Sequence, residues 1–333
     1  MSPRPDISFI AWVREDSRSR SLATGLGGEA QTFFDLRIHS RPLVPLRYLI
    51  SAVRTVLYLA RRRPRAVAIQ SPPQPAAALV WLWARLARIP LVLDTHPSNF
   101  ETSGIHHRMQ PLLRALVPGA ACCIVTTDRL GDEIRSWGGR PVVVHEAPMP
   151  WSSRAQPRPH GPARRVLFVC TFAPDEPLAA VLGAAARLPE TEFQITGDLR
   201  RLAADVREQA PPNVTWMGYL GLEDYVAALA GADVVLSVSE RVESVPRSAY
   251  EAVDALRPVV LTDRDHMRPL FPDAVWVDND PESIASGVTD ALTRCDELGD
   301  RALEARVLQG QRWELQLAEL RALIEAGPRR RRH

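Results

Sequence analysis

The chain has 333 residues, of which 46% are hydrophobic and 24% are charged, and its formal net charge is +2. The length favours two domains, the composition is that of an ordinary globular protein, and the small net charge gives no indication of nucleic acid as a partner. The chain contains no lysine, so its 41 Lys and Arg residues are all arginines. This excludes enzymes that need a Schiff-base lysine or the lysine of a phosphate-binding loop.

The four cysteines show neither a Cys-x-x-Cys pair nor the spacing of a zinc site. This pattern predicts buried free thiols in a reducing compartment. No apolar stretch approaches the ~18 residues that a membrane-spanning helix requires, and the N-terminus does not have the pattern of a signal peptide. We therefore expect a cytoplasmic protein.

The first predicted strand, 7–13, leads into a polar loop and a short helix that end in glycines. Arg18 and Arg20 lie at the start of this helix, where guanidinium groups and free backbone N–H groups would together hold a phosphate. Gly27 and Gly28 lie on the far side of the same loop. A solvated basic turn is the alternative interpretation, and the sequence favours neither.

A second strand is predicted at 31–36, and a strong helix at 47–63. The helix has apolar residues at helical spacing and arginines concentrated at its end, where the helix dipole favours them. Packing against a sheet is the ordinary explanation of such a helix. Contact with an anionic lipid bilayer is the alternative, because further arginines lie nearby in the sequence.

The strand predicted at 91–94 ends in Thr95 and His96. A lone histidine is most often structural, but this one follows the carboxyl end of a strand. Ligands bind at that edge of an open parallel sheet, so His96 is a candidate site residue. Two more strands are predicted at 121–126 and 142–144.

Residues 147–164 are rich in proline and glycine and lack periodicity, which predicts a linker between domains. The alternation of strands and helices then restarts. Repeated units of this kind predict a second parallel sheet. The predicted strands of this second half are 166–169, 193–196, 214–217, 234–237, 259–262 and 275–277.

The segment 237–262 has the pattern of a strand end, a loop, a helix and a further strand. Ser244 is the predicted N-cap of the helix, and Pro246 is tolerated in its first turn. Glu243 then lies in the loop at the carboxyl end of a strand, and Glu251 lies about a turn further into the helix. Carboxylates accept hydrogen bonds from adjacent hydroxyls and a helix N-terminus attracts anions, so this arrangement suits a sugar nucleotide.

The sequence ESVPRSAYEA, which starts at Glu243, resembles the E-x7-E segment of the retaining GT-B glycosyltransferases, family four in particular. The likeness includes the proline after the first glutamate, the Glu-Ala pair on the helix and the Pro-Val-Val strand that follows. The resemblance implies that Glu243 holds hydroxyls of the donor sugar, that Glu251 holds the ribose of the nucleotide, and that His96 touches the sugar near the reacting carbon. The other donor contacts that it implies are Ser244, Val245, Pro246, Thr171, Gly197 and Arg264.

The resemblance also implies an α/β fold of the GT-B type, in which two Rossmann-like, doubly wound parallel-sheet domains face a cleft. Other family-like sequences, such as ITGD at 195–198, precede the glutamate pair in the family's order. The expected parts of the chain are an acceptor domain at 1–150, a linker at 151–164, a nucleotide-sugar domain at 165–300 and a helix at 301–328 that crosses back to the first domain.

The chain departs from the family pattern after the first strand of the second domain. Family-four enzymes usually carry Gly-Arg and then Lys at this place, and these cations clamp the diphosphate. Here residues 172–177 read FAPDEP, so both cations are absent and two carboxylates are added. FAPDEPL looks like a subset of bacterial glycosyltransferase-like proteins. Arg247, and after it Arg264 and Arg268, are the candidates for stabilising the leaving group instead.

These patterns predict a metal-independent, retaining transferase that moves a sugar from a nucleoside diphosphate to a glycan, lipid-linked or small-molecule acceptor. No cofactor is expected besides this donor. The D-x-D sequences at 263–265 and 278–280 lie in turn-like sequence, so we interpret them as capping and turn residues rather than metal ligands. Two alternatives stay open, a GT-B-like binding subunit without activity and a sugar-nucleotide epimerase.

Overall fold

The computed structural model describes residues 6–14, 16–34, 43–100, 104–158, 162 and 164–327. The chain divides into two compact units. Unit 1 comprises Met1–Ala147 and Arg312–His333, and unit 2 comprises Pro148–Gln311. Among the described residues, no helix is both long enough and apolar enough to cross a lipid bilayer.

Unit 1 contains a six-stranded parallel sheet in the order β2-β1-β3-β4-β5-β6. Its strands are β1 (Ile7–Ala11), β2 (Glu29–Thr32), β3 (Ala66–Ser71), β4 (Leu91–Thr95), β5 (Cys122–Val125) and β6 (Pro141–Val143). The helices between them are α1 (Ser17–Gly25), α2 (Val44–Arg62), α3 (Gln74–Ala87), α4 (Gly104–Leu116) and α5 (Asp128–Ser136). The strand predicted at 31–36 overlaps β2 only at 31 and 32, residues 33 and 34 are not in a strand, and residues 35 and 36 lie outside the described part of the chain.

Hydrophobic side chains cover both faces of this sheet. Along β3, Val67 and Ile69 belong to one buried cluster, whereas Ala66 and Ala68 belong to another. Successive residues of a strand point to opposite faces, so both faces of the sheet are covered. A strand that is buried on both faces must be apolar throughout, which explains why the strands appear in the sequence as short continuous hydrophobic runs.

Unit 2 contains a second six-stranded parallel sheet in the order β12-β11-β10-β7-β8-β9. Its strands are β7 (Arg165–Phe168), β8 (Glu192–Thr196), β9 (Val214–Gly218), β10 (Val234–Ser237), β11 (Val259–Thr262) and β12 (Val275–Val277). Its helices are α6 (Leu178–Arg187), α7 (Ala204–Glu208), α8 (Leu222–Gly231), α9 (Arg247–Asp254), α10 (Pro281–Thr293) and the first part of α11 (Cys295–Ala326). From Arg312 onward, α11 belongs to unit 1.

The strand order of unit 2 places its topological switch point between β7 and β10. The chain moves outward from β7 through β8 to β9, returns to β10 on the other side of β7, and moves outward again to β12. Loops that leave neighbouring strands in opposite directions create a crevice at the carboxyl edge, where ligands bind in open α/β sheets. The prediction of two Rossmann-like parallel-sheet domains is confirmed.

The described part of the predicted linker is attached to unit 2. The backbone N–H of Met149 donates a hydrogen bond of 2.7 Å to Asp254. The buried guanidinium of Arg257 donates to the carbonyl oxygen of Gln156, and Arg158 forms ion pairs with Asp233 and Asp296. Residues 148–158 are therefore ordered by arginine contacts that proline and glycine content does not reveal.

Gly28 lies where the chain leaves α1 and enters β2. A Cβ atom at this position would lie 2.2 Å from the carbonyl oxygen of Ile7, which is backbone and has no freedom to turn away. Gly27 precedes it with a φ of +69°, a left-handed conformation that favours glycine. Both glycines therefore have a structural explanation at the amino edge of the sheet.

We expect Gly28→Ala to lower the free energy of unfolding by about 1–3 kcal/mol, since the added methyl group must displace β1. Gly310→Ala is the matched control, because Gly310 lies in α11 and a Cβ atom there meets nothing within 4 Å. The control should be neutral or stabilising by up to about 1 kcal/mol. Urea denaturation of both variants measures the difference, and equal stability would contradict the close packing at Gly28.

Candidate active site

The helix that carries Glu251 begins without a side-chain cap. Pro246 occupies the N-cap position of α9 and makes no side-chain hydrogen bond to the first turn of the helix. The prediction of Ser244 as the N-cap is therefore wrong: its carbonyl oxygen lies 3.4 Å from Nε2 of His266 instead. Proline fixes the φ angle that opens the helix, so no polar cap is needed at this place.

Glu251 is nearly buried and both of its oxygen atoms have partners. The hydroxyl of Tyr225 donates a hydrogen bond of 2.5 Å to one oxygen, and Nε of Arg247 donates one of 2.8 Å to the other. Burial, and after it the charge of Glu251, raises the pKa of Tyr225 above its ordinary value, so the phenol stays protonated and donates. The position of the Glu251 carboxylate is thus fixed from two sides.

Glu243 lies in a turn between β10 and α9 and is half-buried. Ser244, Val245 and Pro246 continue this segment to the start of the helix and are half-buried as well. The structure therefore places the predicted glutamate pair at the carboxyl edge of unit 2, with Glu243 in the loop and Glu251 on the helix.

A cavity of about 350 Å³ lies at the carboxyl ends of β7, β8 and β9. Thr171 and Gly197, two of the predicted donor contacts, line it together with Tyr225. Gly197 has a φ of +135°, and a Cβ atom there would lie 2.5 Å from the ring of Phe172. Through Tyr225, the wall of this cavity is joined directly to Glu251.

The loop after β7 is closed by a carboxylate of its own. Glu176 accepts hydrogen bonds from the backbone N–H groups of Thr171, at 2.9 Å, and of Ala173, at 2.7 Å. Phe172, between them, has a φ of +56°, which lets both N–H groups converge on one anion. A left-handed residue costs roughly 1–2 kcal/mol, and hydrogen bonds to a charged group contribute about 1.5–3 kcal/mol each, so the bonds outweigh the strain.

Arg264 has unused hydrogen-bond donors at this edge of unit 2. It is half-buried in the loop after β11, where one of its NH groups donates to the carbonyl oxygen of Asp263. Its Nε atom is buried and has no hydrogen-bond partner. Arg247, by contrast, is engaged with Glu251.

One acidic residue of each D-x-D sequence has a local role. Asp280 caps α10 by accepting hydrogen bonds from the N–H groups of Glu282 and Ser283, and Asp263 pairs with Arg268. Within the described residues, no three His, Cys, Asp or Glu side chains are grouped so that they could hold a metal ion.

In unit 1, His96 follows β4 at the carboxyl edge of the sheet. Its Nε2 atom lies 3.1 Å from the amide nitrogen of Gln70 and 3.7 Å from the carboxylate of Asp94. Burial alone would raise the pKa of Asp94, but Arg18 and His96 hold it below its ordinary value. Asp94 is therefore an ionised carboxylate beside the imidazole, a neighbour that sequence reasoning did not identify.

Arg18, predicted to meet a phosphate, is buried and bonded within unit 1. Its guanidinium donates to the carbonyl oxygens of Val144 and His145 and to the carboxylate of Glu146. These contacts join α1 to the end of β6. Arg20, on the same helix, is exposed. Because Gly27 and Gly28 lie at the opposite edge of the sheet, the structure does not bring the four predicted loop residues together.

Two family models match the chain. The model described as glycosyl transferase 4-like domain matches residues 11–150, and the model described as glycosyl transferases group 1 matches residues 163–294. The chain belongs to the family-four-like GT-B glycosyltransferases. No curated protein sequence is significantly similar to it.

Several solved structures share the fold of this glycosyltransferase. The sucrose-phosphate synthase of Thermosynechococcus elongatus superposes with a TM-score of 0.76 at 16% identity, over 96% of this chain and 99% of that one. HepE of Anabaena, in complex with UDP and glucose, gives a TM-score of 0.71 at 15% identity, over 97% and 99% of the two chains. A glycosyltransferase of Rickettsia africae gives 0.70 at 11% identity, over 96% and 98%.

Tyr225→Phe should lower the free energy of unfolding of this glycosyltransferase by about 1.5–3 kcal/mol, because it removes one buried hydrogen bond to the charged carboxylate of Glu251. Tyr219→Phe is the matched control: Tyr219 lines the same cavity, but it is 84% exposed, so its hydroxyl is open to water. Chemical denaturation of both variants compares the two hydroxyl groups. An equal effect of the two substitutions would contradict the role of Tyr225 in holding Glu251.

Proposed function

We propose that this glycosyltransferase transfers a sugar from a nucleoside-diphosphate sugar, with retention of configuration and without a metal ion. The observation that supports this best is the arrangement at the carboxyl edge of unit 2. There, a fixed carboxylate, Glu251, is hydrogen-bonded to Tyr225, which lines a cavity, and a second carboxylate, Glu243, lies in the loop before the same helix. HepE, which shares the fold, has a crystal structure in complex with UDP and glucose.

Glu251 holds the ribose of the nucleotide and Glu243 holds hydroxyls of the sugar. A carboxylate offers about four lone-pair positions, so the two that Tyr225 and Arg247 use leave room for ribose hydroxyls. The nucleotide base enters the cavity that Thr171 and Gly197 line. In unit 1, His96 is the residue that we propose for contact with the reacting sugar.

Negative charge grows on the diphosphate as the glycosidic bond breaks. Arg201, which lines the cavity, and Arg264, which is half-buried in the loop after β11, are the cations of unit 2 that we propose for this charge. The first turn of α9, which begins at a proline without a side-chain cap, adds the positive end of a helix dipole. Arg247 reaches the diphosphate only if it leaves Glu251.

One observation favours the second candidate, a binding subunit without activity. The backbone site in the loop after β7, where family-four enzymes place a diphosphate clamp, is filled by Glu176. A protein of this kind would retain the fold but would not release nucleoside diphosphate. Transfer and binding measurements separate the two functions, and a sugar-nucleotide epimerase would release no diphosphate when an acceptor is added.

Glu243→Ala and Glu251→Ala should each lower the rate of donor hydrolysis or transfer by about a hundredfold or more, since each removes contacts that fix the reacting sugar or the nucleotide. Glu190→Ala is the matched control, because Glu190 is exposed and its carboxylate lies 3.8 Å from Arg164 at the other edge of the sheet. Release of diphosphate from a panel of UDP-, GDP- and ADP-sugars measures the rate.

Unchanged release in both glutamate variants would remove this mechanism. Wild-type protein that binds a nucleoside diphosphate in calorimetry but never releases one from a donor would favour the binding subunit instead.

We propose further that unit 1 contacts an anionic lipid surface through one face of α2. Leu46, Leu49, Val53 and Leu57 follow each other at helical spacing on this helix, and each is between 46% and 64% exposed. Its opposite face, with Leu59, packs on the sheet. A helix that is apolar on its solvent side lies naturally in the interface of a bilayer.

The charge of this region fits a lipid surface with negative headgroups. The sequence has no aspartate or glutamate between Asp35 and Asp94, although it has ten arginines there. Arg54 and Arg61 are exposed on α2, and Arg85 and Arg88 are exposed at the end of α3 beside Leu86. A surface with exposed arginines and leucines would attract anionic headgroups and insert aliphatic side chains.

Wild-type protein should sediment with phosphatidylglycerol vesicles at low salt and much less with vesicles of phosphatidylcholine alone. The double variant Leu49→Glu/Leu57→Glu should bind the anionic vesicles at least about tenfold more weakly, because it replaces aliphatic side chains that would insert into the bilayer by charged ones. Leu303→Glu/Leu315→Glu makes the same change at exposed positions of α11 and should bind like wild type. Equal loss of vesicle binding in both double variants would contradict the proposed lipid contact. Equal binding of the wild-type protein to charged and uncharged vesicles would contradict it as well.

A further inference from the structure

The pair Asp175-Glu176 has no role in the proposed reaction, yet it is among the most highly connected polar pairs of unit 2. Its members stand where family-four enzymes carry cations, so they cannot substitute for those cations by charge. Their contacts point in two directions: those of Glu176 go back to the loop that follows β7, and those of Asp175 go across to the segment that follows β10.

Glu176 makes the loop after β7 rigid from within. Besides the backbone N–H groups of Thr171 and Ala173, it accepts a hydrogen bond from the hydroxyl of Thr171 and lies 3.3 Å from the sulfur of Cys170. Charge-assisted hydrogen bonds of this kind are the strong ones. The backbone N–H groups of this loop converge as they would around a bound anion. The carboxylate of Glu176 occupies the position of that anion.

Asp175 connects this loop to the neighbouring segment, which follows β10. Its carboxylate accepts a hydrogen bond of 3.1 Å from the hydroxyl of Ser239 and lies 3.0 Å from Nε of Arg241. Its carbonyl oxygen accepts a bond of 2.7 Å from the backbone N–H of Glu240. Three consecutive residues of the segment are thus held by one residue, and Glu243 follows two positions later.

The other side of this segment is held by the ends of two further strands. The backbone N–H of Ser239 donates to the hydroxyl of Thr262, and the hydroxyl of Thr262 donates to the side chain of Asn279. Asn279 in turn donates to the carbonyl oxygen of Ser239. The segment is closed between β7 on one side and β11 with β12 on the other, so a change in the Asp175 contacts removes one of its two supports.

We propose that Asp175 and Glu176 are positioning residues for the donor site: Glu176 orders the loop after β7, and Asp175 uses that order to hold the segment that carries Glu243. This rests on the proposed function in so far as Glu243 contacts the donor. The FAPDEP sequence then has a structural role in place of the diphosphate clamp that family-four enzymes carry there.

Hydrogen–deuterium exchange of the full-length protein tests the positioning without any need for activity. In Asp175→Ala and in Glu176→Ala, amides of a peptide covering 239–246 should exchange at least about tenfold faster than in wild type. Glu190→Ala, at an exposed carboxylate elsewhere in unit 2, should leave this peptide unchanged. The Glu176 variant is decisive, because within the described residues the hydrogen bonds of its carboxylate all go to the loop after β7 and none goes to 239–246 itself.

Unchanged exchange of 239–246 in Glu176→Ala would overturn the proposal. If that variant fails to fold, Glu176→Gln replaces it: glutamine keeps the size but removes the negative charge, so the hydrogen bonds of the loop lose their charge-assisted strength. The same acceleration, smaller in size, is then expected, and its absence overturns the proposal in the same way.

Kinetics test the connection to Glu243. Asp175→Ala should lower kcat/KM for the donor about tenfold in the wild-type background and have little effect in a Glu243→Ala background, because the residue being positioned is then gone. Additive effects would show that Asp175 does not act through Glu243. A wild-type protein without transferase activity would refute the proposed function, whereas the exchange measurement would still decide the positioning.

Discussion

Parallel pairing of β7 with β10 is the constraint on which the site of unit 2 depends. Leu167 is registered with Val235, and this register places the chain after 168 beside the chain after 237, although some 70 residues separate the two strands. The loop that contains Asp175 and the loop that contains Glu243 therefore leave the sheet side by side. Since both strands are buried on both faces, a slip of register would expose apolar residues and is strongly disfavoured.

The absence of lysine changes how this chain can manage negative charge. An ammonium group is a compact charge on a flexible stem, whereas a guanidinium group is a planar fork that tends to become fixed between several oxygen atoms. Arg18 and Arg257 are fixed in this way among backbone carbonyl oxygens. These arginines thus hold the fold together, whereas Arg264 donates a hydrogen bond to the carbonyl oxygen of Asp263 and is half-buried in its loop.

The strands could be predicted from the sequence because each is a short apolar run between turn residues. The strands predicted at 234–237 and 259–262 agree with β10 and β11. The spacing of Glu243 and Glu251 and the proline between them predict this pair as donor contacts. Tyr225 could not be found in this way, since a tyrosine on an ordinary helix carries no signal until tertiary structure places it 2.5 Å from Glu251. Long-range partners of this kind are absent from any local pattern.

The roles of the arginines show most clearly which features a local sequence pattern leaves undecided. A basic residue at a helix start fits both a phosphate contact and a structural ion pair, and the sequence around Arg18 favours neither. The decision depends on residues more than a hundred positions away, at the end of β6, where carbonyl oxygens and Glu146 converge on the guanidinium. A buried charge must be paired, so once those acceptors surround Arg18 its energy is lowest in the interior of unit 1. The distribution of acceptors, rather than the position of the arginine in the sequence, therefore determines which arginines are left to bind a ligand.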